Sequence, residues 1–170
     1  MIHYFAYGSN LHPVRLQARV SSAELIGGVE LKRHRLAFHK KSHDDSGKCN
    51  ILETGVDSQS VFGAIYKIHS AHKAALDRFE GKGKGYIDSD IHLCHKGREY
   101  HCFTYRAQDS YIMPDLNPYH WYKELVLLGA QYHQFPGHYI ESIAGVMSMQ
   151  DPDVSRRQEY DSLIKRMIAK

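Results

Sequence analysis

Tyr4-Phe5-Ala6-Tyr7-Gly8-Ser9-Asn10-Leu11 begins as an aromatic, β-prone run and breaks at three residues that tolerate turns and expose backbone N–H groups. The run predicts a strand, and the break predicts a loop able to grip an anion. Leu11-His12-Pro13 follows, and Pro13 suits an early helical position. Val14 to Val20 therefore continue as a short helix whose positive end faces the loop. A Gly-Ser-Asn turn before a helix also reads as a plain turn and cap, so the anion cradle needs support from elsewhere. It is not a nucleotide loop, because the chain has neither G-x-x-x-x-G-K-S/T nor a G-x-G-x-x-G before a suitable helix.

The second informative stretch is Leu76-Asp77-Arg78-Phe79-Glu80-Gly81. It lies just after Val61 to Ile68, whose β-branched and aromatic alternation predicts a strand. Ser70 is the expected cap of the next helix, with Ala71, Ala74, Ala75 and Phe79 on its packing face and Leu76 at the margin. Gly81 is the expected stop, which leaves Glu80 in the C-terminal turn. The helix end disfavours a negative charge there, so a partly buried Glu80 is expected to shift toward a base-capable range, opposed by Arg78, Lys82 and Lys84 if their heads approach. A solvated helix-end residue is the plain alternative. Gly81-Lys82-Gly83-Lys84-Gly85 reads either as a mobile rim that orders with a ligand or as a solvated loop.

Around these stretches, Glu24 to Phe38 is strand-rich with a bend at Gly27-Gly28, and Cys49 to Glu53 adds another strand. Ile87 to Leu93 and Tyr100 to Tyr105 form a hairpin about Lys96-Gly97. Tyr119 to Leu128 carries an apolar helical face, and Pro136 starts a short helix with Tyr139, Ile140 and Ile143 that Gly145 ends. Beyond Asp151-Pro152-Asp153, a helix from about Ser155 presents Tyr160, Leu163, Ile164, Met167 and Ile168 as a stripe. Residues 1–150 are expected to form one domain, and residues 151–170 a helical extension packed on it or on a partner, a second copy included.

The chain has 170 residues, 42% hydrophobic and 24% charged, without a long apolar segment, so one soluble domain is expected and membrane binding is not. Its opening residues do not resemble a targeting peptide, and three cysteines without a C-x-x-C fit a reducing cytoplasm with buried free thiols. A cysteine–histidine hydrolase has no local support. The 13 histidines are scattered, with neither H-E-x-x-H nor a zinc pattern, so no metal or other cofactor is expected. Lys32-Arg33-His34-Arg35 and His39-Lys40-Lys41 are the best basic runs, but with a net charge of +3 and no nucleic-acid motif they read as the exposed face of a strand rather than a nucleic-acid patch.

The chain resembles the gamma-glutamylcyclotransferase-like family, in which a Y-G-S-N-L loop and an E-G segment after a short helix form the reactive site. The likeness runs through Tyr7-Gly8-Ser9-Asn10-Leu11, Asn50-Ile51, Val61-Phe62-Gly63-Ala64-Ile65-Tyr66, Leu76-Asp77, Glu80-Gly81 and Gly85-Tyr86, within residues 3 to 146. One departure is the basic, glycine-rich stretch after Gly81, where the family commonly has an apolar residue.

The resemblance implies an α+β fold with a small mixed, curved or barrel-like sheet and peripheral helices. It also implies cyclisation of a small-molecule gamma-glutamyl substrate to 5-oxoproline with release of an amino compound. Glu80 matches the catalytic acid/base, while Tyr7, Gly8, Ser9, Asn10 and Leu11 match the substrate cradle. Tyr86 and Tyr139 match pocket aromatics. The competing reading is a noncatalytic small-molecule binding protein that keeps the pocket, favoured if Glu80 points outward or the cradle cannot approach a ligand.

Overall fold

The computed structural model describes residues 1–169. Strand β1 (Ile2–Ala6) is the axis of the fold, because its aromatic run is buried on both faces, with Phe5 and Ala6 fully covered. It pairs antiparallel with β5 (Ser60–Ile68), from Ile2 opposite Ile68 to Ala6 opposite Ala64. On its other side it pairs in parallel with β7 (Arg98–Ala107), His3 opposite Cys102 and Tyr4 opposite Phe103. The β2 strand (Glu24–Lys32) and β6 (Tyr86–His95) complete a mixed five-stranded sheet in the order β2-β5-β1-β7-β6. Its two outer strands curl toward each other: a Cβ on Gly27 of β2 would lie 2.5 Å from the His95 ring of β6. The β6–β7 hairpin turns on Lys96 and Gly97, both at positive φ. A separate ribbon, β3 (His34–Lys41) with β4 (Gly47–Glu53), has its pairing register shifted between Ala37 and Lys40.

Among the described residues, five α-helices surround the sheets: α1 (Pro13–Arg19), α2 (Lys73–Glu80), α3 (His120–Tyr132), α4 (Gly137–Ala144) and α5 (Val154–Ile168). None of the described helices is long and apolar enough to cross a membrane. Helix α3 buries Trp121, Tyr122, Leu125 and Val126 and approaches the loop after β1 through Gly129. A Cβ there would meet Leu11 Cβ at 2.4 Å and the His12 backbone nitrogen at 3.2 Å. Helix α5 packs on α1 and α3. Its Tyr160 ring stacks on Trp121 with centroids 3.7 Å apart and planes nearly parallel, while Leu163 and Met167 are buried. Asp151, buried in the preceding turn, accepts from Trp121 Nε1 at 2.8 Å and from Arg156 at 2.5 and 2.6 Å.

Some local expectations are corrected. His69, not Ser70, provides the cap before α2: its Nδ1 accepts from Ala71 N, and a 3-10 turn over Ser70–His72 leads into the helix. Leu76 is the buried centre of α2 rather than its margin, and Phe79 is exposed beneath the Arg19 guanidinium. The thiols of Cys49 and Cys102 are buried, whereas Cys94 is exposed on β6. Ile168 also lies outside the buried stripe of α5.

Two stability outcomes follow from these contacts. Hydrogen bonding from Arg156 is the main cause that holds the Asp151 carboxyl at about 2, below its ordinary 3.8. A lowered folded-state value means that the charged pair stabilises fully above pH 3.8 and loses its contribution as pH falls through about 2. Asp151→Ala is expected to cost about 3 kcal/mol in urea denaturation at neutral pH, with a smaller further loss on acidification than the wild type. Gly129→Ala gains roughly 1 kcal/mol of helix propensity but presses a fixed Cβ against Leu11, an overpacking cost of about 1–3 kcal/mol. Its thermal midpoint is expected to fall, and a rise would refute the close-approach role of Gly129.

Candidate active site

Glu80 reaches the wall of a small cavity because α2 ends there. Gly81 takes the left-handed conformation at φ 67 that a Cβ disfavours, and the Lys82 backbone N–H returns to Asp77 O at 2.9 Å, closing the helix end. Three residues earlier, Asp77 fixes the helix to the sheet: it accepts from Tyr105 OH and from Lys73 Nζ, each at 2.6 Å. Glu80 is thereby turned toward the loop after β1.

That loop presents its backbone inward. Among the described residues, the N–H groups of Gly8, Ser9 and Asn10 donate to no protein acceptor, and these residues line a small cavity of about 20 Å³ with Glu80. The Leu11 N–H closes the turn onto Gly8 O at 3.0 Å. Its carbonyl accepts from Tyr66 OH at 2.6 Å and lies 2.8 Å from His133 Nε2. Leu11 thus fastens the loop instead of extending the cradle.

The carboxylate is held by one oxygen. Asn10 Nδ2 donates to Glu80 Oε1 at 2.9 Å and Arg19 Nη1 to the same oxygen at 2.7 Å, while Arg19 also donates to Asn10 Oδ1 at 3.0 Å. Among the described residues, no protein hydrogen bond falls on Oε2. The Arg19 and Glu80 side chains are each 16% exposed, so their ion pair is only partly screened by water. The charge opposite Glu80 comes from the end of α1, not from the neighbours that sequence proximity suggests. Arg78 is exposed, and Lys82 instead pairs with Asp88 and Asp77.

The walls of the small cavity are phenolic. Tyr7 OH donates to Tyr105 O and Tyr86 OH to Cys49 O, both at 2.5 Å, and Tyr122 OH accepts from Cys49 N at 3.0 Å. Burial pushes the Tyr7, Tyr86 and Tyr122 hydroxyls well above the ordinary phenol range, so they remain neutral walls and donors. Burial also pushes the Cys49 thiol up to about 12, which keeps it out of the reactive thiolate form. Glu80 is the one carboxyl lining this cavity among the described residues.

Ser9, Glu80, Tyr86 and Tyr122 also border a larger cleft of about 630 Å³. Its walls include Arg15, Lys40, Lys48 and Lys84, with Arg156 and Tyr160 of α5. The rim after Gly81 is a hydrogen-bonded turn rather than a loose segment. Gly83 N donates to Tyr86 O at 2.8 Å, and Gly85 N donates to Gln108 Oε1 at 3.0 Å. Lys84 faces the large cleft, whereas Lys82 does not line it. Among the described residues, no group of three or more His, Cys, Asp or Glu side chains is placed to hold a metal ion.

The structure therefore gathers Tyr7, Gly8, Ser9, Asn10, Glu80 and Tyr86 around one cavity. It does not bring Tyr139 there: that ring packs on Phe62 and lines a separate cleft of about 460 Å³ with Phe38 and His138. The aromatic that fills the expected place is Tyr122, at the start of α3. Arg19, Lys40 and Tyr105 also escape the sequence reading. Arg19 carried one usable signal, a basic residue in a helix's last turn.

Residues 60–143 match the AIG2-like family. The chain is 27% identical to the gamma-glutamylcyclotransferase of Bos taurus over 98% of its own length and 89% of the relative's. It is 26% identical to the Homo sapiens protein of the same name over 96% and 87% of the two chains. A solved structure described as gamma-glutamyl cyclotransferase superimposes with a TM-score of 0.83 at 25% identity, covering 97% of this chain and 98% of that one. This kinship supports an enzymatic function of that general class. With its mixed sheet and peripheral helices, the chain shares the fold of these proteins and is similar to the AIG2-like, gamma-glutamylcyclotransferase-like family.

Proposed function

We propose that the protein cyclises a gamma-glutamyl amino compound to 5-oxoproline, with Glu80 as the acid/base. The observation that carries this reading is a lone cavity carboxylate restrained through Oε1 and facing the unpaired N–H groups of Gly8, Ser9 and Asn10. Glu80 takes a proton from the substrate's α-ammonium, and the freed nitrogen attacks the γ-carbonyl carbon. As the new ring C–N bond forms, negative charge grows on the carbonyl oxygen. The loop's N–H groups are the donors suited either to that oxygen or to the substrate α-carboxylate. Glu80 then returns the proton to the departing nitrogen as the old C–N bond breaks; the ring nitrogen gives up its second proton to water and the released amine takes one up, so the charges balance and no covalent enzyme intermediate is needed.

The reaction is intramolecular, and much of the catalytic gain comes from folding a flexible glutamyl chain into attack geometry. A cavity of about 20 Å³ accepts one polar group rather than the whole glutamyl chain, so the remainder and the leaving group extend into the large cleft. Tyr86 and Tyr122, which border both spaces, guide the chain at that junction. The inward-facing Glu80 and the accessible cradle favour this reading over a binding protein that merely retains the pocket.

Glu80→Gln keeps the shape of the side chain but cannot accept the proton. It is expected to lower kcat by about 10²- to 10⁴-fold with unchanged circular dichroism. The assay is chromatographic detection of 5-oxoproline from gamma-glutamyl amino acids, gamma-glutamyl amines, glutathione and larger conjugates. A folded wild type that releases none from any of them would sink the proposal, and equal turnover by the variant would remove Glu80 from the base role. In the native protein, iodoacetamide at neutral pH is expected to label Cys94 and spare Cys49 and Cys102 without loss of turnover. Native labelling of Cys49 with parallel inactivation would contradict its role as an inert wall.

A further inference from the structure

Lys40 does not behave as a surface lysine. It lies on β3 at 5% exposure, in the wall of the large cleft that also contains Glu80. Its ammonium stands 4.6 Å from the centre of the Tyr86 ring and 5.7 Å from that of Tyr111. Its seat is made by Gly85, where an added Cβ would lie 2.6 Å from Lys40 Cε and 2.8 Å from Nζ. The glycine after the basic rim thus leaves room for a lysine chain that a larger residue would displace.

Four of the other cations around the cleft are paired, while Arg15, on the α5 side beside Tyr160, and Arg78 and Lys84 form no ion pair among the described residues. Arg19 pairs with Glu80, Lys41 with Asp45, Lys48 with Asp44 and Arg156 with Asp151. Lys40 has ring faces but, among the described residues, no carboxylate within ion-pair distance and no protein hydrogen-bond acceptor. A buried ammonium without a counter-ion is costly, and an anion arriving with a ligand offsets that cost. Tyr86, over which it sits, borders both the small cavity and the cleft, so the charge stands at their junction. In a gamma-glutamyl amino acid, two bonds separate the scissile nitrogen from the carboxylate carbon of the leaving residue. That carboxylate must therefore lie close to the reacting centre, where Lys40 stands.

We infer that Lys40 receives the α-carboxylate of the leaving amino acid, so that the site selects gamma-glutamyl amino acids over gamma-glutamyl amines and amides. The inference rests on the cyclisation reading for which half of the ligand occupies the cleft, but its test does not require turnover. Glutaryl-L-alanine lacks the attacking amine and cannot cyclise, and its C-terminal amide differs from it only by the charge in question. In calorimetric titrations, the wild type is expected to bind the acid at least about tenfold more tightly than the amide. That ratio is expected to fall toward one in Lys40→Met and in Lys40→Gln, each checked for fold by circular dichroism. A merely structural role for Lys40 would weaken both ligands together and leave the ratio intact. Equal wild-type affinities, a ratio preserved in the folded variants, or no binding of either ligand by the wild type would overturn the inference. A Lys40-dependent ratio in a wild type that releases no 5-oxoproline would leave the anion site standing and remove only the cyclisation reading.

Discussion

The triangle of Asn10, Arg19 and Glu80 is the constraint on which the site depends. Its corners come from the loop after β1, the last turn of α1 and the last turn of α2, and all three side chains meet at or beside Oε1. A partly buried ion pair has value only while its geometry holds, since desolvation offsets much of the attraction once the partners separate. Two of the corners are accordingly fixed from behind. The loop is tied through Leu11 to Tyr66 and His133, and α2 is tied through Asp77 to Tyr105 and Lys73. The carboxylate direction is thus a product of the whole sheet-and-helix framework.

Much of that framework was legible in the chain. The aromatic run at Tyr4 and the β-branched run from Val61 are intrinsic strand signals, and Gly81 is a helix stop for a local steric reason. These features depend on near neighbours in sequence, so sequence displays them. The cradle and Glu80 became legible by resemblance, because their separation reflects the fold rather than local chemistry.

What remained hidden was decided by partners distant in sequence. Arg19 and Glu80 are 61 positions apart, and the cations adjacent to Glu80 looked equally eligible until the fold paired Lys82 with Asp88 and gave the carboxylate to Arg19. Tyr139 and Tyr122 are both tyrosines near helix starts, and only the packing of α3 and α4 decides which one enters the cavity. Lys40 resembled part of a basic strand face, but it recurs at every second position with Leu36 and Phe38, and both it and Phe38 are buried. Its meaning emerged only with Gly85, 45 positions later.

The stacked pair at the cleft wall has a practical corollary. Trp121 is the chain's sole tryptophan, and it combines a parallel, stacked Tyr160 ring, a hydrogen bond to buried Asp151 and the Lys48 ammonium 4.7 Å from its ring centre. It also lines the large cleft. The molecule therefore carries a built-in optical probe at its binding surface. Emission from one indole reports both the integrity of the α3–α5 contact and the electrostatic surroundings of a ligand in the cleft, without a label and without background from a second tryptophan.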